Sequence, residues 1–166
     1  GIATSGRTPY VLGGLDYARS LGAFTIGLAC NTDSELSQRA KLMTSTVVGT
    51  ALVTGSSRLK AGTATKMVLN MLTTGAMVRL GKTFGNLMVD LQAKNQKLLD
   101  RSRRIVAQLT ELSVDDAEAL LQRCGGDVKT AIVAHQRQLS PAAARQLLHD
   151  VQGHLRSALE SPPFEN

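Results

Sequence analysis

With 166 residues, the chain can hold one ordinary domain, or part of a domain followed by a small helical module. Hydrophobic residues make up 43% of the chain and aromatic residues only 3%, so we expect a packed core of aliphatic side chains. No apolar run approaches the roughly 18 residues of a membrane span, which excludes a transmembrane helix, whereas the net charge of +6 is compatible with a nucleic-acid partner.

The first thirty residues predict the order strand, helix, strand. Residues 1–3 suit a strand end, and because the chain starts without Met we expect the natural protein to continue upstream. Thr8 suits a helix N-cap and Pro9 the first helical position, and the helix should stop near Leu21. Residues 23–30 are an apolar run typical of a buried strand in a parallel sheet.

The next segment predicts a short helix at 35–40, a strand at 42–48 and a Gly/Ser/Thr-rich loop at 49–57. Two long helices should follow, at 59–80 and 86–109. An apolar stripe runs along the first of them and consists of Ala64, Val68, Met71, Leu72 and Val78.

The densest group of basic residues falls in the second long helix, with Asp90 and Asp100 interleaved and no aromatic partners. Its members are Lys94, Lys97, Arg101, Arg103 and Arg104. We interpret it as a solvated helix face and expect no nucleic-acid partner.

The last third predicts a small helical domain over residues 111–160, following a domain over residues 1–110. Ser113, Asp127 and Ser140 each suit an N-cap, and Gly125 and Gly126 suit a helix end. A last helical turn is expected at 154–159 and a frayed tail at 161–166.

The metal-ligating residue types are scattered. Cys30 and Cys124 have no Cys or His neighbour at ligand spacing, and both suit buried hydrophobic positions in a reducing, cytoplasmic setting. His135, His149 and His154 suit surface or interhelical positions, and the acidic residues Asp115, Asp116 and Glu118 suit a helix start. We expect no metal site, no cofactor and no membrane partner.

Two loops carry the pattern of an anion site. Residues 5–8 and residues 54–63 each lie between a predicted strand and a predicted helix, and both combine Gly with small hydroxyl side chains and basic residues. Ligands of open parallel sheets bind at the carboxyl ends of the strands, where helix N-termini present free N–H groups to anions. Ordinary turns with good caps would explain each loop alone, but two such loops in one sheet favour a shared binding site.

The same loops carry a family resemblance. Residues 1–10, 53–64 and 85–90 closely resemble the N-acetylmuramic acid 6-phosphate etherases, as do the stretches 69–77, 82–84 and 126–133. The similarity extends to about Leu159. The chain is thus similar to the C-terminal portion of that family's proteins.

The resemblance implies an α/β fold with part of a sugar isomerase (SIS) type, doubly wound parallel sheet sandwich, followed by a three-helix domain like ubiquitin-associated (UBA) modules. It implies a homodimer and an etherase, a carbon–oxygen lyase that splits N-acetylmuramic acid 6-phosphate into N-acetylglucosamine 6-phosphate and D-lactate in cell-wall recycling. The phosphorylated amino sugar would be bound by Ser5, Gly6, Arg7, Thr8, Ser56, Ser57, Arg58 and Lys60.

Two departures from the family keep an alternative open. The family's acid and base glutamates and its first phosphate loop correspond to positions upstream of Gly1, so we expect no catalytic residue in this chain. The family also usually carries Glu just before the second loop, where this chain has Ala51. A non-catalytic, phosphosugar-binding regulatory protein, like the related glucokinase regulatory proteins, is the alternative.

Overall fold

The computed structural model describes residues 1–91, 93 and 95–161. They fall into two compact units, residues 1–73 and residues 74 onward. The assignment of 1–110 to one domain and 111–160 to another stays a prediction. Of the predicted frayed tail at 161–166, residues 162–166 lie outside the described part of the chain. In the described part of the chain no helix is long and apolar enough to cross a membrane.

The first unit contains the predicted parallel sheet. Strand β1 (Ile26–Ala29) pairs in parallel with β2 (Leu42–Ser45), with Ile26 opposite Leu42 and Ala29 opposite Ser45. Ile2 forms an isolated parallel bridge with Leu28 on the other side of β1. The predicted strands are therefore present but shorter, because β1 occupies only part of 23–30 and β2 only part of 42–48.

Helices α1 (Pro9–Ser20) and α2 (Glu35–Arg39) connect these strands as predicted. Their apolar faces meet the sheet in a small core that comprises Ala3, Leu12, Leu15, Ala29 and Leu36. Helix α3 (Lys60–Arg79) follows near its predicted bounds. Within its apolar stripe, Ala64 and Val68 are half-buried, whereas Met71, Leu72 and Val78 are exposed.

The prediction of a helix over 86–109 is wrong for residues 86–91. Strands β3 (Thr83–Phe84) and β4 (Leu87–Met88) form an antiparallel hairpin there, with Gly85 at a φ of 57° in the two-residue turn. The sequence Gly85-Asn86, with Phe84 before it and Leu87 after it, is a hairpin signal, since Gly adopts positive φ without a steric penalty. Helix α4 (Gln96–Thr110) begins only after Asn95, whose side chain accepts a hydrogen bond from the N–H of Leu98.

The remaining helices of the second unit form a bundle with α4. They are α5 (Val114–Arg123), α6 (Val128–Gln136), α7 (Pro141–Asp150) and α8 (Leu155–Glu160). The three predicted N-caps are confirmed, because Ser113, Asp127 and Ser140 each accept a hydrogen bond from a backbone N–H three residues later. The bundle core is aliphatic, and Val106, Ile132, Val133 and Leu155 are among its most deeply buried large side chains.

A charged cluster joins the end of the hairpin to the bundle. The ammonium group of Lys129, with a side chain only 10% exposed, donates to the carbonyl oxygen of Gly153 at 2.9 Å and lies 3.8 Å from the carboxylate of Asp90. Lys82 forms an ion pair with the same carboxylate at 2.7 Å. The buried ammonium thus has both a carbonyl and a carboxylate partner, as a charge removed from water requires.

Cys124, at the C-cap of α5, is fully buried, and burial raises the pKa of its thiol despite the opposing effects of Arg145 and Arg123. The unfolded chain loses this proton first, since an exposed thiol titrates near pH 8.5. The stabilising contribution of the neutral thiol is therefore complete below about pH 8.5 and is lost as the pH rises through the folded pKa.

We expect the free energy of unfolding, measured by urea denaturation, to fall between pH 8 and 10 more steeply in the unmodified chain than in a Cys124→Ala variant. A Cys30→Ala variant is the control for losing one thiol. Equal slopes in the unmodified chain and in the Cys124→Ala variant would contradict the effect of burial on this thiol.

Candidate functional site

The first predicted loop lies where the chain leaves the Ile2 bridge and enters α1. Thr8 is the N-cap residue of α1, as predicted, but its side chain makes no capping hydrogen bond. The hydroxyl of Ser5 accepts from the N–H of Arg7 at 3.3 Å. The Thr8 hydroxyl is therefore not used in a helix cap.

The second predicted loop ends at the first residue of α3. The Lys60 ammonium donates to the carbonyl oxygen of Thr50 at 2.9 Å. Ser56 is half-buried and Ser57 exposed just before the helix. This arrangement places a cation and two hydroxyl side chains at the start of a 20-residue helix, where the helix dipole favours anions.

A cavity of about 570 Å³ within the first unit is lined by both loops. Five of the residues in its wall have hydroxyl side chains, namely Thr4, Ser5, Thr8, Ser56 and Ser57. The rest of the wall is formed by Cys30, Asn31, Val48, Gly49, Ala51, Gly55, Lys60 and Ala61. The volume is in the range of small-molecule sites.

Among the described residues of the lining, only Lys60 has a charged side chain. Lys60 supplies one ammonium group, and the lining residues of the described chain include no Asp, Glu or His. Such a wall can bind a single anionic group attached to a polyhydroxylated molecule, because hydroxyls donate to and accept from other hydroxyls. A wall with these residues offers no carboxylate or imidazole for proton transfer near neutral pH.

Five of the eight predicted binding residues line the cavity, and three do not. Ser5, Thr8, Ser56, Ser57 and Lys60 are brought together, whereas Gly6, Arg7 and Arg58 lie outside the lining. Arg7 and Arg58 are exposed. The order of residues in the sequence predicted which loops meet at the cavity, but not where their longer side chains lie. The binding role of all eight residues stays a prediction.

Gly6 has a packing role that the sequence did not reveal. It is buried with a φ of 67°, and a Cβ atom there would come within 2.3 Å of the Ser34 Cβ. Its carbonyl oxygen accepts from the N–H of Leu36 at 2.9 Å. Gly6 thus allows the first loop to approach the start of α2 closely.

Sequence reasoning missed several lining residues. Cys30 and Asn31 directly follow β1, and the rule that ligands bind at the carboxyl ends of parallel strands would have pointed to both. Ala51, identified from the sequence as a departure from the family, also lies in the wall. An acidic side chain at that position would therefore be in the wall of the cavity.

The other candidates from the sequence do not form a second site. His135 and His149 are exposed, and the His154 ring packs near Gly81. Asp115 and Asp116 lie in the first turn of α5, and Glu118 pairs with Arg103. The described part of the chain contains no cluster of three His, Cys, Asp or Glu side chains able to hold a metal ion.

Comparisons with known proteins agree with the resemblance seen in the sequence. The chain is 60% identical to an N-acetylmuramic acid 6-phosphate etherase of Rhodopirellula baltica over 98% of its length, which corresponds to 54% of that relative. It is 53% and 54% identical to proteins of the same name from Photobacterium profundum and Streptomyces coelicolor over 96% of its length. The chain spans about half the length of these curated relatives.

A family model described as the C-terminal lid domain of glucokinase regulatory protein matches residues 85–129. This match begins in the β3–β4 hairpin and extends through α4 and α5 to the start of α6. The predicted resemblance to the etherase family and its regulatory relatives is confirmed.

The packing of Gly6 gives a testable consequence. We expect Gly6→Ala to lower the free energy of unfolding of the first unit by about 2 to 4 kcal/mol, because it combines a left-handed backbone with a steric overlap. Gly13→Ala is the matched control, since Gly13 lies inside α1 with open space at its Cβ position and should gain about 0.5–1 kcal/mol. Urea denaturation followed by circular dichroism measures both, and an unchanged stability in Gly6→Ala would contradict this packing role.

Proposed function

We propose that the complete protein is an N-acetylmuramic acid 6-phosphate etherase, which cleaves the D-lactyl ether of N-acetylmuramic acid 6-phosphate. The products are N-acetylglucosamine 6-phosphate and D-lactate. Identities of 53–60% over at least 96% of this chain to proteins of that name carry the proposal. The protein would act as a carbon–oxygen lyase in peptidoglycan recycling in the cytoplasm, without a metal or other cofactor.

We assign the substrate's phosphosugar portion to the cavity between the two loops. The Lys60 ammonium would neutralise part of the phosphate charge, and the helix start at residues 56–60 would add N–H donors. The hydroxyls of Ser5, Thr8, Ser56 and Ser57 would bind sugar hydroxyls or phosphate oxygens. Arg7 and Arg58 would attract the anion from the rim, since both are exposed and adjoin lining residues.

Acid and base groups would come from outside this chain. The reaction is an elimination followed by the addition of water, and it needs one group to remove a proton and another to protonate the leaving lactate oxygen. The described residues of the lining include no carboxylate and no imidazole. We therefore expect glutamates elsewhere in the complete protein to serve both roles.

The wider architecture is part of the same proposal. The parallel order of Ile2, β1 and β2 is consistent with part of a doubly wound sheet of the SIS type, and the capped helices α5 to α7 with a UBA-like domain. The exposed Met71, Leu72 and Val78 of α3 favour a homodimer, since a helix rarely leaves such a stripe uncovered.

A phosphosugar-binding regulatory protein is the second candidate. Two observations favour it: the match of residues 85–129 to the lid domain of glucokinase regulatory protein, and Ala51 in the cavity wall where the etherases usually carry Glu. Both functions share the binding step and differ in catalysis. Activity of the complete protein separates them.

Binding is tested with this chain and N-acetylglucosamine 6-phosphate. We expect Lys60→Met to weaken the affinity about 10- to 100-fold, since a hydrogen bond to a charged group contributes about 1.5–3 kcal/mol. Lys66→Met is the matched control, because it removes the same charge from an exposed position of α3 outside the cavity. Isothermal titration measures both, and equal weakening in the two variants would show a general charge effect rather than a site.

Catalysis is tested with N-acetylmuramic acid 6-phosphate. We expect this chain alone to release no D-lactate, whereas the complete protein releases it. D-lactate is measured with a coupled dehydrogenase assay. Release by the chain alone would show that it contains both the acid and the base, and lack of release by the complete protein would favour the regulatory function.

A further inference from the structure

Asn31 lies two residues after the end of β1, at the cavity. It directly follows Cys30, whose N–H donates to the carbonyl oxygen of Thr4 at 2.9 Å. Asn31 is one of the residues that line the cavity. It is therefore next to the first loop on one side and to the ligand space on the other.

One hydrogen bond connects this amide to the first loop. The Asn31 Nδ2 donates to the carbonyl oxygen of Ser5 at 3.2 Å, across 26 residues of sequence. The neighbouring loop groups are held differently, because the Gly6 N–H donates to the Ala3 carbonyl and the Arg7 N–H to the Ser5 hydroxyl. Both of those contacts are local. The Asn31 amide links the loop to the end of a sheet strand, and the Leu36 N–H, which donates to the Gly6 carbonyl oxygen, links it to the start of α2.

We propose that Asn31 is a positioning residue that holds the first loop, residues 5–8, in its ligand-binding arrangement through the Ser5 carbonyl. The inference rests on the proposed function, because it concerns the same phosphosugar cavity. It assigns a role to a residue that neither the loop patterns nor the family resemblance identified. Since Ser5 and Thr8 are both in the cavity wall, a shift of this loop moves two of its five hydroxyls.

Two substitutions remove the N–H donor of Asn31 in different ways. Asn31→Leu keeps the approximate size of the side chain and removes its polar atoms, and Asn31→Asp keeps its shape but removes the N–H donor. Thr32→Ala is the control, because Thr32 is the next residue, is exposed and does not line the cavity. A cooperative thermal melting transition is the criterion that each variant is folded.

The first measurement is amide hydrogen exchange in the ligand-free chain. We expect the N–H groups of Gly6 and Arg7 to exchange about 3- to 10-fold faster in both Asn31 variants, the range that the loss of one hydrogen bond predicts. Exchange of the α6 amides should be unchanged in the Asn31 variants, and exchange at Gly6 and Arg7 should be unchanged in Thr32→Ala. Unchanged exchange at Gly6 and Arg7 in both variants would overturn the proposal.

The second measurement is the affinity for N-acetylglucosamine 6-phosphate by isothermal titration. We expect Asn31→Leu to weaken it about 3- to 10-fold and Thr32→Ala to leave it unchanged. Faster exchange with unaltered affinity would reduce Asn31 to a structural contact and overturn its role at the site. If the unmodified chain does not bind the sugar phosphate, the assignment of the cavity fails, and the exchange data alone decide whether Asn31 holds the loop.

Discussion

Parallel pairing about β1 is the constraint on which the candidate site depends. Parallel strands end at one edge of a sheet, so the segments that follow Ile2, β1 and β2 must emerge side by side. These segments contain the first loop, the Cys30–Asn31 pair and the Gly/Ser/Thr-rich loop. Antiparallel pairing would send alternate connections to opposite edges and separate the hydroxyl groups that line the cavity.

The second unit is organised by local capping and by one buried cation. Three side-chain caps start α5, α6 and α7, and an aliphatic core joins these helices to α4 and α8. Lys129 then connects Asp90, just after the hairpin, to the backbone at Gly153. Desolvating an ammonium group is unfavourable unless its donors are satisfied, so these partners are required for Lys129 to be buried in α6.

The elements that the sequence predicted well are those with local physical causes. Thr8-Pro9, Ser113 and Asp127 mark helix starts through groups within a few residues, and their helices begin where expected. The β3–β4 hairpin was missed because its strands are two residues long, too short to show an alternating pattern, and their apolar residues also fit a helix. The turn Gly85-Asn86 was the available signal.

The candidate site was predictable as a meeting of loops but not residue by residue. The carboxyl-end rule predicted the two loops, since it depends on strand order, and the family resemblance then pointed to Ser5, Thr8, Ser56, Ser57 and Lys60 within them. It could not predict that Arg7 and Arg58 lie outside the lining, because that depends on rotamers of long side chains in loops.

The hydrogen bond from Lys60 to the Thr50 carbonyl has a thermodynamic consequence. An ammonium group has three N–H donors, and this one uses a donor on the backbone of the loop that contributes Ala51 to the cavity. An anion that takes another donor shares the cation with that loop. If ordering of the loop raises the affinity for the anion by some factor, thermodynamic linkage requires that the bound anion raise the equilibrium constant for loop ordering by the same factor. Binding and loop order are then one equilibrium rather than two.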